Sequence, residues 1–77
     1  MRIGDLTVGE RGRVLGLGKG ERAYRQRLLA MGLTPGTEFT VTRLAPLGDP
    51  VEISVRGYAM SLRKDEAGML SIEKLAT

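Results

Sequence analysis

Residues 24–50 read YRQRLLAMGLTPGTEFTVTRLAPLGDP, and this stretch decides the fold. Tyr24, Leu28 and Met31 recur at i, i+4 and i+7, the spacing of one helix face. A helix of about three turns is expected over Glu21 to Met31, with that stripe in the core. Glu21 precedes Arg25 by four residues, the favourable order for a helical ion pair. Gly32 stands where the helix should stop, because glycine accepts the left-handed backbone at that end, and Leu33 can then fold back. Thr34-Pro35-Gly36-Thr37 has proline and glycine at the two central positions of a type II turn. Thr37 to Ala45 alternates as a strand, with Phe39 and Val41 on one face and Thr40 and Thr42 on the other. Pro46-Leu47-Gly48-Asp49-Pro50 forms the next turn. The stretch contains no cysteine, histidine, serine or adjacent carboxylates. A small chain whose most distinctive segment is geometry without reactive groups is built to be held against a partner.

Outward from this segment the pattern stays short and β-like. Arg13 to Leu17 is an apolar strand bounded by glycine, followed by a loop through Gly16, Gly18 and Gly20. Val51 to Arg56 alternates Val51, Ile53 and Val55 against Glu52, Ser54 and Arg56. Gly57 marks a tight connection. Tyr58 to Arg63 places Tyr58, Met60 and Leu62 on the inward face. Lys64 to Gly68 suits a turn or one 3-10 turn, with Asp65 and Glu66 solvated. Met69 to Leu75 is the last strand, with Leu70 and Ile72 inward. The predicted class is therefore mostly β: about five antiparallel strands in a small closed or nearly closed barrel, because closure removes exposed edges. One short helix is inserted after the first strand and is expected to cover an open end.

The chain has 77 residues, so a single domain over residues 1–77 is expected. A chain this short buries only about 60% of the surface its unfolded form exposes. Cysteine and histidine are both absent. Nucleophilic catalysis of the Ser-His or Cys-His kind is thereby excluded, as are zinc sites of imidazole and thiolate. No catalytic residue, cofactor or metal site is expected. No apolar run approaches the roughly 20 residues needed to cross a bilayer. The absence of cysteine fits a reducing compartment, so a soluble cytoplasmic protein is expected.

The net charge of +3 is uneven. Residues 1–27 hold seven bases against three acids, and residues 28–77 hold five against six. Such a basic half suits acidic partners, membrane surfaces or phosphates, although charge on a small domain also serves solubility. Gly16-Leu17-Gly18-Lys19-Gly20 before a helix suggests a phosphate loop, but the spacing G-x-x-x-x-G-K-[ST] is missing. Nucleic-acid binding by a small barrel wants aromatic stacking platforms. The aromatic residues here are Tyr24, Phe39 and Tyr58, all on faces assigned to the core.

Tyr24-Arg25-Gln26-Arg27-Leu28-Leu29 to Gly32, then Leu33-Thr34-Pro35-Gly36, then Arg43-Leu44-Ala45-Pro46-Leu47-Gly48-Asp49-Pro50, and finally Leu62-Arg63-Lys64, resemble the FeoA family. The resemblance spans about residues 22–75. It implies an SH3-like barrel with a helix after the first strand, a fold also found at the C-terminus of iron-dependent repressors. It further implies a cytosolic accessory role in bacterial ferrous iron uptake. The partner would be the cytosolic region of the FeoB-type permease, which the protein could reach at the inner face of the membrane without inserting. Gly32, Pro35, Gly36, Pro46, Gly48 and Pro50 are explained as turn residues and Leu28 as core. Arg22, Arg25, Leu29, Leu47 and Asp49 are not required by the barrel and are the candidate partner-binding residues. A basic nucleic-acid-binding barrel and a stand-alone relative of the repressor domain are the alternatives. No nucleic acid is expected as a partner.

Overall fold

The computed structural model describes residues 1–18 and 22–76. Its elements follow the expected order, with the predicted strand ends moving by up to two residues. They are β1 (Arg11–Leu17), α1 (Arg22–Ala30), β2 (Glu38–Leu44), β3 (Val51–Val55), β4 (Tyr58–Leu62), α2 (Lys64–Gly68) and β5 (Leu70–Lys74). A 3-10 turn at Ile3–Asp5 precedes β1. The strands form one antiparallel sheet in the order β4-β3-β2-β1-β5. Bulges at Val14/Gly16 on β1 and at Val41/Arg43 on β2 break the register. An extra residue in one strand of a pair bends that strand and sharpens its twist, which helps curl a five-stranded sheet around a core.

The core takes the inward-facing residues of each strand: Val14, Phe39, Val41, Val51, Ile53, Val55, Leu62, Leu70 and Ile72. Ile3, Leu6, Leu28, Leu33 and Ala67 complete it from the turns and helices. Gly12 faces Phe39 across the β1–β2 ladder. A Cβ at Gly12 would lie 2.6 Å from the Phe39 ring, so the glycine makes room for the aromatic.

The segment after α1 folds as the glycine and proline positions require. Gly32 has φ +90°. Leu33 N–H donates to Leu28 O at 3.0 Å and Gly32 N–H to Leu29 O at 3.0 Å, the paired bonds of a Schellman cap. Gly36 has φ +93°, and Thr37 N–H closes the turn onto Thr34 O at 3.1 Å. That turn docks on β1 through Gly36 N–H to Val14 O and Val14 N–H to Thr37 O, at 2.7 and 2.8 Å. The Glu21–Arg25 pair, the helix start at Glu21 and the Lys19-Gly20 part of the glycine loop lie outside the described residues.

Three expectations are corrected. Lys64–Gly68 is a short α-helix and not a solvated turn: Glu66 is only 1% exposed. Its Oε1 accepts the Arg63 N–H at 3.1 Å, which satisfies a helix-start donor from inside the fold. Tyr58 is 75% exposed although it shares the inward face of its hairpin. Alternation sets the face but not the depth. Burial falls from Leu62 through Met60 to Tyr58 as β4 is followed back toward its turn. Finally, Arg56 belongs to that turn and not to the strand. Arg56 and Gly57 have φ +52° and +84°, as a two-residue type I′ hairpin loop demands.

Candidate partner-binding groove

The N-terminal turn, α1, the Pro46–Pro50 turn and α2 meet around a groove of about 650 Å³. Tyr24 comes from α1 and Leu47 from the turn; Val51 opens β3; Ala67, Gly68 and Met69 come from α2 and the residue after it. Arg2, Lys64 and Asp65 stand among the lining residues and supply its charge. The lining is mostly apolar, and the volume falls in the range of ordinary ligand clefts.

Leu47 is the most conspicuous of these residues. It is 95% exposed, and its φ of +68° puts it in the left-handed region. Pro46–Gly48 is a one-turn helical segment interrupted at this residue. Asp49, next but one, accepts the Lys64 N–H through Oδ1 at 3.2 Å. The turn is thereby tied to the start of α2, which gives Asp49 a task in the fold that its sequence context did not reveal.

Across the groove, α1 is held lightly. Of its nine residues only Leu28 is buried. The Arg27 Nε lies 3.2 Å from Glu66 Oε2, close enough for an ion pair but not aligned for a hydrogen bond. This contact joins α1 to α2, and so couples the two walls that carry Tyr24 and Ala67.

The sequence-derived candidates divide between two places. Leu47 lines the groove and Asp49 braces its edge. Arg22, Arg25 and Leu29 are exposed on α1, with Leu29 at 38%, and none of them lines the groove. Tyr24, expected in the core, is half-buried and forms part of the wall. Arg2, Lys64, Ala67 and Met69 were not foreseen. Lys64 had stood only within the motif Leu62-Arg63-Lys64, and Tyr24 lies one helical turn before buried Leu28, where a long side chain can be core or rim.

The basic half of the sequence is partly neutralised by folding. Arg11 pairs with Glu38 at 2.8 Å, and Arg13 with Glu73 at 2.8 Å and Glu38 at 3.5 Å. Lys74 pairs with Glu10. The Lys74 ammonium, with the Thr7 N–H and hydroxyl, lowers the Glu10 carboxyl to about 2. These pairs run across the β2-β1-β5 side of the sheet. Arg22 and Arg25 form no ion pair with another described residue and remain exposed on α1. Among the described residues no group of carboxylates is gathered in a way that would hold a metal ion.

Five antiparallel strands with a helix inserted after the first define a small SH3-like domain. The chain belongs to the FeoA family: residues 1–74 match its FeoA domain. It is 32% identical, over all of its 77 residues, to the Fe(2+) transport protein A/Fe(2+) transporter FeoB fusion protein of Porphyromonas gingivalis. It spans 9% of the length of that curated relative. The solution structure of a FeoA protein from Chlorobium tepidum matches with a TM-score of 0.87 at 37% identity, covering 99% of this chain and 71% of that one. A zinc complex of Stenotrophomonas maltophilia FeoA, described as a prokaryotic SH3 domain protein, shares the fold at a TM-score of 0.82 and 22% identity. That match covers 95% of this chain and 89% of the other. The family and fold inferred from residues 22–75 both hold.

Proposed function

We propose that this chain is an accessory domain of ferrous iron uptake that binds the cytosolic region of a FeoB-type permease and supports or tunes transport without carrying iron. The observation that carries the reading is the relative in which a domain of this kind is fused to a FeoB transporter. Fusion keeps two partners at high effective concentration, and separate chains must reach the same contact through affinity. The make-up of the domain agrees with a binding role. It has an open apolar groove, exposed arginines on one helix, and no helix among the described residues long and apolar enough to cross a membrane. On this reading it works from the cytoplasm, recruited to the inner face of the membrane by its partner.

The direct test is pull-down of the purified domain with the permease's cytosolic region, with and without guanine nucleotide. Retention in either condition is expected. Failure to bind any part of the permease in both conditions would sink the reading.

A further inference from the structure

We infer that the groove is the seat of that contact, and that its occupant is a short apolar segment of the permease's cytosolic region flanked by acidic residues. The inference rests on the function proposed above and assigns it a place on the molecule.

Three observations carry it. The first is Leu47. A leucine in the left-handed region is unfavourable, and one exposed at 95% gains nothing from burial. Glycine or asparagine would suit that backbone better. No described residue covers the leucine, whereas an apolar segment in the groove would. The second is the match between lining and volume. Tyr24, Leu47, Val51, Ala67 and Met69 surround a space of about 650 Å³ that is open to solvent. Aromatic and methionine side chains are enriched at protein interfaces, and Tyr24 and Met69 supply them here. The third is charge. Around the groove Arg2 and Lys64 are balanced by Asp65 and by Asp49 at its edge, so the surplus positive charge comes from Arg22 and Arg25, exposed on the same helix that supplies Tyr24. No ion pair joins Arg22 or Arg25 to another described residue, and acidic flanks on the segment would complement them.

The occupant is found by titrating short overlapping peptides, which together cover the permease's cytosolic sequence, into the 77-residue chain. Binding is expected for a peptide with an apolar anchor between acidic residues. Leu47→Asn, which suits the backbone and removes the apolar group, should weaken it at least about tenfold. Lys64→Glu should weaken it too, and added salt should weaken wild-type binding. Binding should also report in amide shifts of labelled protein at the lining residues Tyr24, Ala67 and Met69. If the whole cytosolic region binds but those shifts stay silent and Leu47→Asn binds as wild type, the groove is overturned while the accessory role stands. If sedimentation instead shows a dimer that Leu47→Asn abolishes, the occupant is a second copy and the inference fails. If neither the peptides nor the whole region binds, the accessory reading and the groove fall together.

Discussion

At position 47 the backbone asks for a residue that the chain does not supply. Leu47 sits at φ +68° with its side chain in solvent. Holding an ordinary residue there costs about 1 kcal/mol or more. Leu47→Asn should therefore leave the denaturant midpoint unchanged or raise stability by about 1 kcal/mol, since asparagine tolerates this conformation. A loss of stability would mean that Leu47 is a fold residue after all. Gly12 is the opposite case, a position at which the native residue is the only one that fits. Its missing Cβ leaves room for buried Phe39, whose Cζ would stand 2.6 Å away. Gly12→Ala should destabilise by about 1–3 kcal/mol, the usual cost of overpacking. The loss should shrink in a Phe39→Leu background, where the ring is gone. A cycle without coupling would show that the glycine is there for its backbone and not for the ring.

At the scale of elements, the tie between the two helices bears on the groove most directly. A nine-residue helix with one buried side chain has little stability of its own. Its C-terminal cap and the Arg27–Glu66 contact hold it in place. Glu66→Ala strips the Arg63 N–H of its acceptor and should cost about 1–3 kcal/mol. Arg27→Ala leaves a buried carboxylate facing a vacated site. The Arg27 side chain is 57% exposed, so water can take much of its place, and about 1 kcal/mol is expected. Amide shifts at Tyr24 should move with Arg27→Ala; if they do not, the ion pair does not position the groove wall. Little of this was legible in the sequence. Strands announced themselves, because Val51, Ile53 and Val55 alternate with polar residues and the pleat turns alternation into burial. The helix stop and the first turn were equally plain, since Gly32, Pro35 and Gly36 each have one backbone use there. Glu66 was not, because a carboxylate within KDEAG looks like every solvated turn until the fold closes over it. The groove was not legible either: its lining comes from segments far apart in the chain, and no local periodicity links Arg2 to Tyr24, Leu47 and Met69.

For the whole molecule, charge governs both stability in acid and attraction of a partner, and the two uses fall on different residues. Glu10 titrates near pH 2 in the folded chain against about 4.5 for the ordinary group, chiefly because Lys74 holds its charged form. A depressed carboxylate favours folding above the unfolded value and loses that contribution as pH falls through the folded one. The contribution is thus complete above about pH 4.5 and is lost toward pH 2. Glu10→Gln should flatten the stability profile across that window, and an unchanged profile would assign the acid sensitivity elsewhere. The sheet-face pairs of Arg11, Arg13 and Lys74 are engaged in the same way and have little charge left for a partner. Arg25 is exposed on α1, and no ion pair joins it to another described residue. Arg25→Glu should shift stability by less than about 0.5 kcal/mol, as exposed substitutions do. It should nonetheless lower ferrous iron uptake in cells and weaken retention of the permease's cytosolic region. Long-range attraction between exposed charges fades beyond a Debye length of roughly 8 Å at physiological salt. The difference between Arg25→Glu and wild type should therefore be largest at low ionic strength and narrow as salt is added. A defect equal at all salt concentrations would mean that Arg25 acts through a close contact. A lowered thermal midpoint would mean that it belongs to the fold.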